Sequence, residues 1–302
     1  MTGTRDFVGY GEQPPRAAWP GGARLAVSFC LNYEEGGERS IEDGDPATEP
    51  IMHEIVGAGT EEGRRTLYVE SMYEFGSRAG FWRVHRLFTQ RGTPLTVYAV
   101  GRALERNPEA ARAMAAAGWE VIGHGWRWID YGDVPEEVER EHIALTNAAI
   151  ERLCGRQPLG WFSGRGSENT QRLVVEAGLL YDSDSLADEL PYWVEVSGRQ
   201  HLVVPYSLDC NDFKFLLNNG FTTADDFNRY LVDTFEQLYE EGAETPKLMN
   251  VGLHCRIIGR PGRAPALARF LEHLSGFPDV WVATRAEIAR HWIATHPPGG
   301  AA

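Results

Sequence analysis

The sequence lacks the cysteine pairs that staple a small fold. Its four cysteines, Cys30, Cys154, Cys210 and Cys255, are scattered and none sits in a Cys-x-x-Cys pair, so neither a zinc knuckle nor a redox dithiol is encoded. Isolated thiols fit a reducing compartment better than a disulfide framework. No run of about 18 apolar residues occurs, so no membrane-crossing helix is expected. Residues 1–20 mix acidic side chains and prolines without an apolar core, unlike a secretion signal, and the expected location is the cytoplasm. Positive charge is also scarce. With 29 Lys and Arg against 43 Asp and Glu, the net charge of −14 argues against a nucleic-acid or anionic-membrane partner, because either needs a basic surface. Internal repeats and low-complexity segments are missing too.

What is present is an ordinary globular composition of 302 residues, 43% of them hydrophobic. That is enough to bury a core without staples, and one domain over residues 1–302 is the simplest reading. Residues 1–22, rich in Gly and Pro from Arg5 onward, read as an extended arm. The apolar segment 24–32, bounded by glycines, reads as a buried strand. Residues 38–63 are polar and without period, which predicts a long excursion with one helix near 51–56. Excursions of that length usually serve function or an interface. From Ser77 onward strands and helices alternate. Helices are expected over 80–91, 107–117, 135–153, 169–177, 223–241, 265–275 and from 285. Strands are expected over 96–100, 119–122, 158–162, 179–182, 201–205, 247–253 and 280–284. Such alternation implies a parallel α/β sheet, doubly wound or closed into a barrel.

Active sites of parallel α/β folds form at the carboxyl ends of the strands. Applied to this chain, that rule gathers Asn32-Tyr33-Glu34-Glu35, His124, Arg165, Asp182 with Asp184, and His254 on one rim. Each has a bland account: paired glutamates after a strand usually form a solvated turn, and a surface arginine makes an ion pair worth under about 1 kcal/mol. Five strand ends carrying such groups are hard to ascribe to chance. Trp126 and Trp128, in the dense stretch His124-Gly-Trp-Arg-Trp-Ile-Asp-Tyr131, either line a pocket for a ring-shaped substrate or cap the core.

These residues resemble the polysaccharide deacetylase superfamily, which carries a Thr-Phe-Asp-Asp motif, a His-x-x-x-His pair, an arginine loop, an aspartate at a strand end and a late Leu-x-His. Here the places are held by residues 32–35, His124 with Trp128, Arg165, residues 182–184, and a shortened Leu253-His254. The chain is most similar to one branch, the metal-independent allantoinases. That likeness runs through residues 6–11, 32–38, 73–80, 124–131, 181–184 with 190–193, and 252–262. The resemblance implies a distorted (β/α) barrel, a homotetramer, a place in purine breakdown, and hydrolysis of a cyclic amide, allantoin first, with cyclic imides or less readily an N-acetylated carbohydrate as alternatives. The superfamily's metal ligands fall on Glu35, His124 and Trp128. Indole is donor-only and cannot ligate a metal, whereas a catalytic zinc keeps three protein ligands. No cofactor is therefore expected, a single divalent metal such as zinc being the lesser alternative. By family position Glu34 is the expected base and His254 the acid, while Glu35 positions water or a substrate N–H. His124 polarises the carbonyl, and Arg165 holds that carbonyl or orients the base. Asp182 or Asp184 is expected to tune His254 or Arg165, and mutual repulsion to raise the two glutamates together. Asn32, Tyr33, Trp126 and Trp128 are the expected substrate contacts.

Overall fold

The computed structural model describes residues 5–55 and 61–299. Strand β1, Leu25–Tyr33, is buried at every position. Helix α1, Leu67–Phe75, runs through a π-turn at Gly76–Gly80 into α2, Phe81–Thr89. Then come β2 (Thr96–Ala99), α3 (Gly101–Arg106), α4 (Pro108–Ala116), β3 (Glu120–Gly123) and α5 (Glu136–Cys154). The short units β4 (Gly160–Trp161), α6 (Thr170–Glu176) and β5 (Tyr181–Asp182) lead to the hairpin β6 (Tyr192–Val196) and β7 (Arg199–Val203). The chain closes with α7 (Ala224–Glu241), β8 (Lys247–His254), α8 (Cys255–Ile258), α9 (Ala264–Leu274), β9 (Val280–Val282) and α10 (Arg285–Thr295).

The strands form one curled sheet in the order β6-β7-β5-β4-β3-β2-β1-β8, with β9 also on β1. Every pairing is parallel except the β6–β7 hairpin. Edge strands β6 and β8 do not pair with each other among the described residues, so this is an open, distorted (β/α) barrel, the fold that the resemblance implies. Strand β9 takes the lower half of one edge of β1, at Leu25–Val27, and β2 the upper half, at Cys30–Tyr33.

The period of two along a strand decides which side chains reach the barrel interior. On β1, Leu25, Val27, Phe29, Leu31 and Tyr33 pack outward into the helix layer, whereas Ala26 and Cys30 face the inner cluster. On β8, Met249, Val251 and Leu253 face outward and Leu248 inward. Asn32 is in register with His254. The same alternation therefore brings Asn32, the following Glu34, and His254 to one inner rim.

Several expectations need correction. Helices α1 and α3 and strand β6 were not foreseen. The helix expected near 51–56 is not formed: residues 51–54 are bends, Ile55 is irregular, and Val56 lies outside the described residues. In the excursion, residues 38–55 hold only a 3₁₀ turn at Ile41–Asp43. That segment is fixed by ion pairs of Asp43 with Arg102 and Arg106 and of Asp45 with Arg127. Residues 5–19 of the arm have no helix or strand, and residues 1–4 are outside the described set. The arm is anchored by buried Trp19, whose indole N–H donates to the Lys247 carbonyl at 2.8 Å. Its ring meets Trp292 of α10 at 5.9 Å. Replacing Trp19 by alanine is expected to cost about 3–5 kcal/mol, read as a lower urea midpoint with turnover per folded molecule unchanged. An unaltered midpoint would show that the arm is not held there.

Candidate active site

The inner rim delivers a chain of ionisable groups. Glu34, 1% exposed, follows β1, and His124, 2% exposed, follows β3. Their contact is 3.2 Å from His124 Nε2 to Glu34 Oε1. The other ring nitrogen, Nδ1, lies 2.6 Å from the Phe162 carbonyl. A carbonyl only accepts, so Nδ1 carries a proton, and the Glu34 contact needs a further one on the ring or on the carboxyl. The Phe162 ring stacks on His124 at 5.2 Å and 8°. His254, ending β8, places Nε2 3.7 Å from the same Glu34 oxygen and Nδ1 2.6 Å from Asp212 Oδ1. Asp212 also accepts the backbone N–H groups of His254 and Ile258 at 2.8 and 3.0 Å. It gets there because Asn211 bridges to Gly252, extending the edge of β8 by one residue. Gly252 is required for this: a Cβ would collide with the Asn211 amide and the Tyr206 hydroxyl.

Arg256 completes the cluster. Its Nη1 is 2.6 Å from Glu34 Oε2 and 3.4 Å from Glu35 Oε1, and its backbone N–H donates to Glu35 Oε1 at 3.1 Å. Glu35 fits only because Gly76, in the π-turn between α1 and α2, has no Cβ to fall on its carboxylate.

This arrangement separates the charges. Burial pushes the Glu34 carboxyl up, but Arg256, His254 and His124 outweigh it and hold Glu34 well below the usual carboxylate range. The two glutamates therefore do not rise together as their adjacency suggested. Only Glu35 is raised, by burial first and by Glu34 as well, against the pull of Arg256. For His254, burial favours the neutral ring, yet Asp212 and Glu34 win and raise it above the ordinary histidine value. Glu38, buried beside Glu35, is pushed up to about 7 by desolvation.

The other expected residues are placed as follows. Asn32 is inside, both amide N–H groups engaged by the Tyr206 hydroxyl at 3.0 Å and the Leu253 carbonyl at 3.1 Å. Tyr33, expected on the substrate, instead points outward with its ring on Phe81 at 5.4 Å and its hydroxyl on Ser77. Trp126 rests against Gly101, and its backbone N–H donates to the Tyr131 hydroxyl at 3.1 Å. Trp128 is in the cluster, its ring 5.0 Å from the Arg165 guanidinium and 5.5 Å from that of Arg256. Arg165 faces Glu49 at 3.9 Å and the Trp128 carbonyl at 3.5 Å, so the guanidinium on the glutamates is that of Arg256. Neither Asp182 nor Asp184 contacts His254. Asp182 pairs with His201 at 3.1 Å. Asp184, pushed up to about 7 by burial and by Asp182, accepts the N–H groups of Ser163 and Gly164 at 2.8–2.9 Å. The carboxylate on His254 is Asp212. Sequence reasoning missed Asp212 because it stands in no strand, and it missed Arg256 although a lone charge two places past His254 in an apolar stretch was a visible signal.

Two open clefts, of about 790 and 760 Å³, lie elsewhere, and neither is lined by Glu34, His124 or His254. Among the described residues no three His, Cys, Asp or Glu side chains are grouped to hold a metal ion. With Trp128 ligand-free and Arg256 on both glutamates, the residues present do not fit a metal.

The chain belongs to the polysaccharide deacetylase family. The family model for polysaccharide deacetylase matches residues 62–181. A Schizosaccharomyces pombe protein named after the polysaccharide deacetylases is 43% identical over 98% of this chain and 99% of its own. Among solved structures, PuuE allantoinase is 51% identical with a TM-score of 0.95, over 98% of this chain and 99% of that one. A Pseudomonas aeruginosa protein, also named after the deacetylases, is 50% identical with a TM-score of 0.94, over 97% and 99%. The family and the allantoinase structure support a hydrolase. No helix among the described residues is long and apolar enough to cross a membrane.

Asp212→Asn tests the His254 assignment. The raised His254 value contributes stability fully present below about pH 6.5 and lost as pH rises through the folded value. On the expectation that His254 is the acid of turnover, the variant is expected to move the alkaline limb of kcat to lower pH. An unmoved limb in a folded variant would remove Asp212 from that role.

Proposed function

We propose that this protein hydrolyses a cyclic amide C–N bond, opening allantoin to allantoate in purine breakdown, without a metal. The observation that carries the reading is the whole-chain likeness to PuuE allantoinase. The site supports it chemically. Ring opening needs a base for water, donors for the tetrahedral oxyanion and an acid for the departing nitrogen. An environment that pushes two titratable groups apart assigns the acid and the base. Glu34, held below the usual carboxylate range by Arg256, His254 and His124 against its burial, is available to take the proton of water. His254, whose value Asp212 and Glu34 raise against its burial, gives its proton to the leaving nitrogen. Glu35, whose value is raised, accepts a ring N–H or steadies the water. His124 stands beside the same Glu34 oxygen, oriented by the Phe162 carbonyl, and donates toward the substrate carbonyl. Each general acid or base contributes roughly 10²–10⁴-fold.

The test is turnover of allantoin, of a panel of cyclic imides and of an N-acetylated chitooligosaccharide, with and without chelator. Allantoin opening that survives chelation is expected, and Glu34→Gln should lower kcat by roughly 10²–10⁴-fold. Loss of all activity with chelator would overturn the metal-free reading. Unchanged turnover in Glu34→Gln would remove that residue from the chemistry.

A further inference from the structure

The buried cation that lies on the two glutamates is incompletely bonded. Arg256 is 2% exposed. Its guanidinium lies 4.4 Å from the Tyr73 ring and 5.5 Å from the Trp128 ring, an aromatic seat that restrains the plane of the group. The Nε–H donates to the Met52 carbonyl at 3.2 Å, and Nη1 serves both glutamates. The remaining amino group, Nη2, is buried with no hydrogen-bond partner among the described residues. Leaving a buried donor unsatisfied is costly, and more so when it is charged, so such an atom in a native site calls for an acceptor. Nη2 shares its guanidinium with the amino group on Glu34, the expected base, so an acceptor there sits close to that carboxylate.

We propose that Arg256 is a catalytic residue of this site, its Nη2 donating to the carbonyl oxygen of the amide under attack. A divalent cation would otherwise perform this task. The proposal rests on the ring-opening reading above only for its choice of first substrate. In the step, the water oxygen bonds to the carbonyl carbon and Glu34 takes the water proton. The π electrons move onto the oxygen that faces Nη2. The C–N bond then breaks as His254 protonates the nitrogen, and the oxyanion returns to a carbonyl. Arg256 neither gains nor loses a proton. A planar guanidinium keeps its charge at any working pH, so polarisation by Arg256 sets no limb of the pH profile.

The experiment compares the parent protein with Arg256→Lys and Arg256→Ala on allantoin, succinimide and an N-acetylated chitooligosaccharide, with thermal melts for folding. Lysine keeps the charge beside Glu34 but not the second amino group. Its kcat is expected to fall about 10²–10³-fold, the worth of one oxyanion donor, with KM changed far less. Added guanidinium chloride at non-denaturing concentration should restore part of the Arg256→Ala loss, and sodium chloride should not. If the parent opens a ring and folded Arg256→Lys keeps a kcat within a few-fold, the proposal is overturned while the ring-opening reading stands. If the parent acts only on the N-acetyl substrate, the reading fails. The same variants then decide the role of Arg256 there, because both reactions pass through an amide oxyanion. A parent inactive on all three overturns both.

Discussion

The burial of the Glu34 carboxylate is the constraint on which the rest of the site depends. Removing one carboxylate from water costs several kcal/mol even after relaxation, and no water-facing escape exists for a side chain 1% exposed at the end of a central strand. Three cation-capable groups meet it: His124 from β3, His254 from β8 and Arg256 from the first turn of α8. Each comes from a different segment, so the charge of one residue ties together parts of the chain more than 200 residues apart. Arg256 needs its own support in turn. It draws on the Met52 carbonyl and the Tyr73 ring, contributed by the excursion and by α1. The excursion therefore acts as part of the site. Its position follows from Asp43 and Asp45, gripped by arginines of α3 and of the loop after β3.

The legible part of this molecule is the part governed by strand periodicity. β1 and β8 are long and apolar, and their ends carry Glu34 and His254 to the rim that the carboxyl-end rule names. His124 follows from β3 in the same way. The alternation also contained the correct placement of Tyr33, one residue from Glu34 and so on the opposite face, which the motif reading overrode. Other elements were illegible for physical reasons. Helix α1 exposes Leu67 and Tyr68 while burying Val69 and Tyr73, and the π-turn after it shifts the helical register, so no single 3.6-residue stripe runs from 67 to 89. Strand β6 is only partly buried, although Ser197 and Gly198, both at positive φ, make the two-residue turn that such a hairpin needs. Asp212 and Arg256 act through contacts that no local pattern encodes, one by a single bridge to β8 and one by the way α8 turns back over Glu35.

The two histidines show how one side-chain type is given two tasks. Both present Nε2 to the same Glu34 oxygen, and both are fixed at Nδ1. What differs is the group at Nδ1. A carboxylate both orients a ring and favours its charged form, whereas a carbonyl orients it without adding a full charge. Asp212 does the first for His254, and the Phe162 carbonyl does the second for His124. The carbonyl is itself held in place from behind. Asp184 gathers the N–H groups of Ser163 and Gly164, and Gly164 packs near the His124 ring. Asp184 thus reaches the site through a backbone turn, without touching either glutamate. The acid of the proposed reaction is the histidine with a buried anion behind it. The histidine with a neutral dipole behind it is held in a fixed orientation beside Glu34.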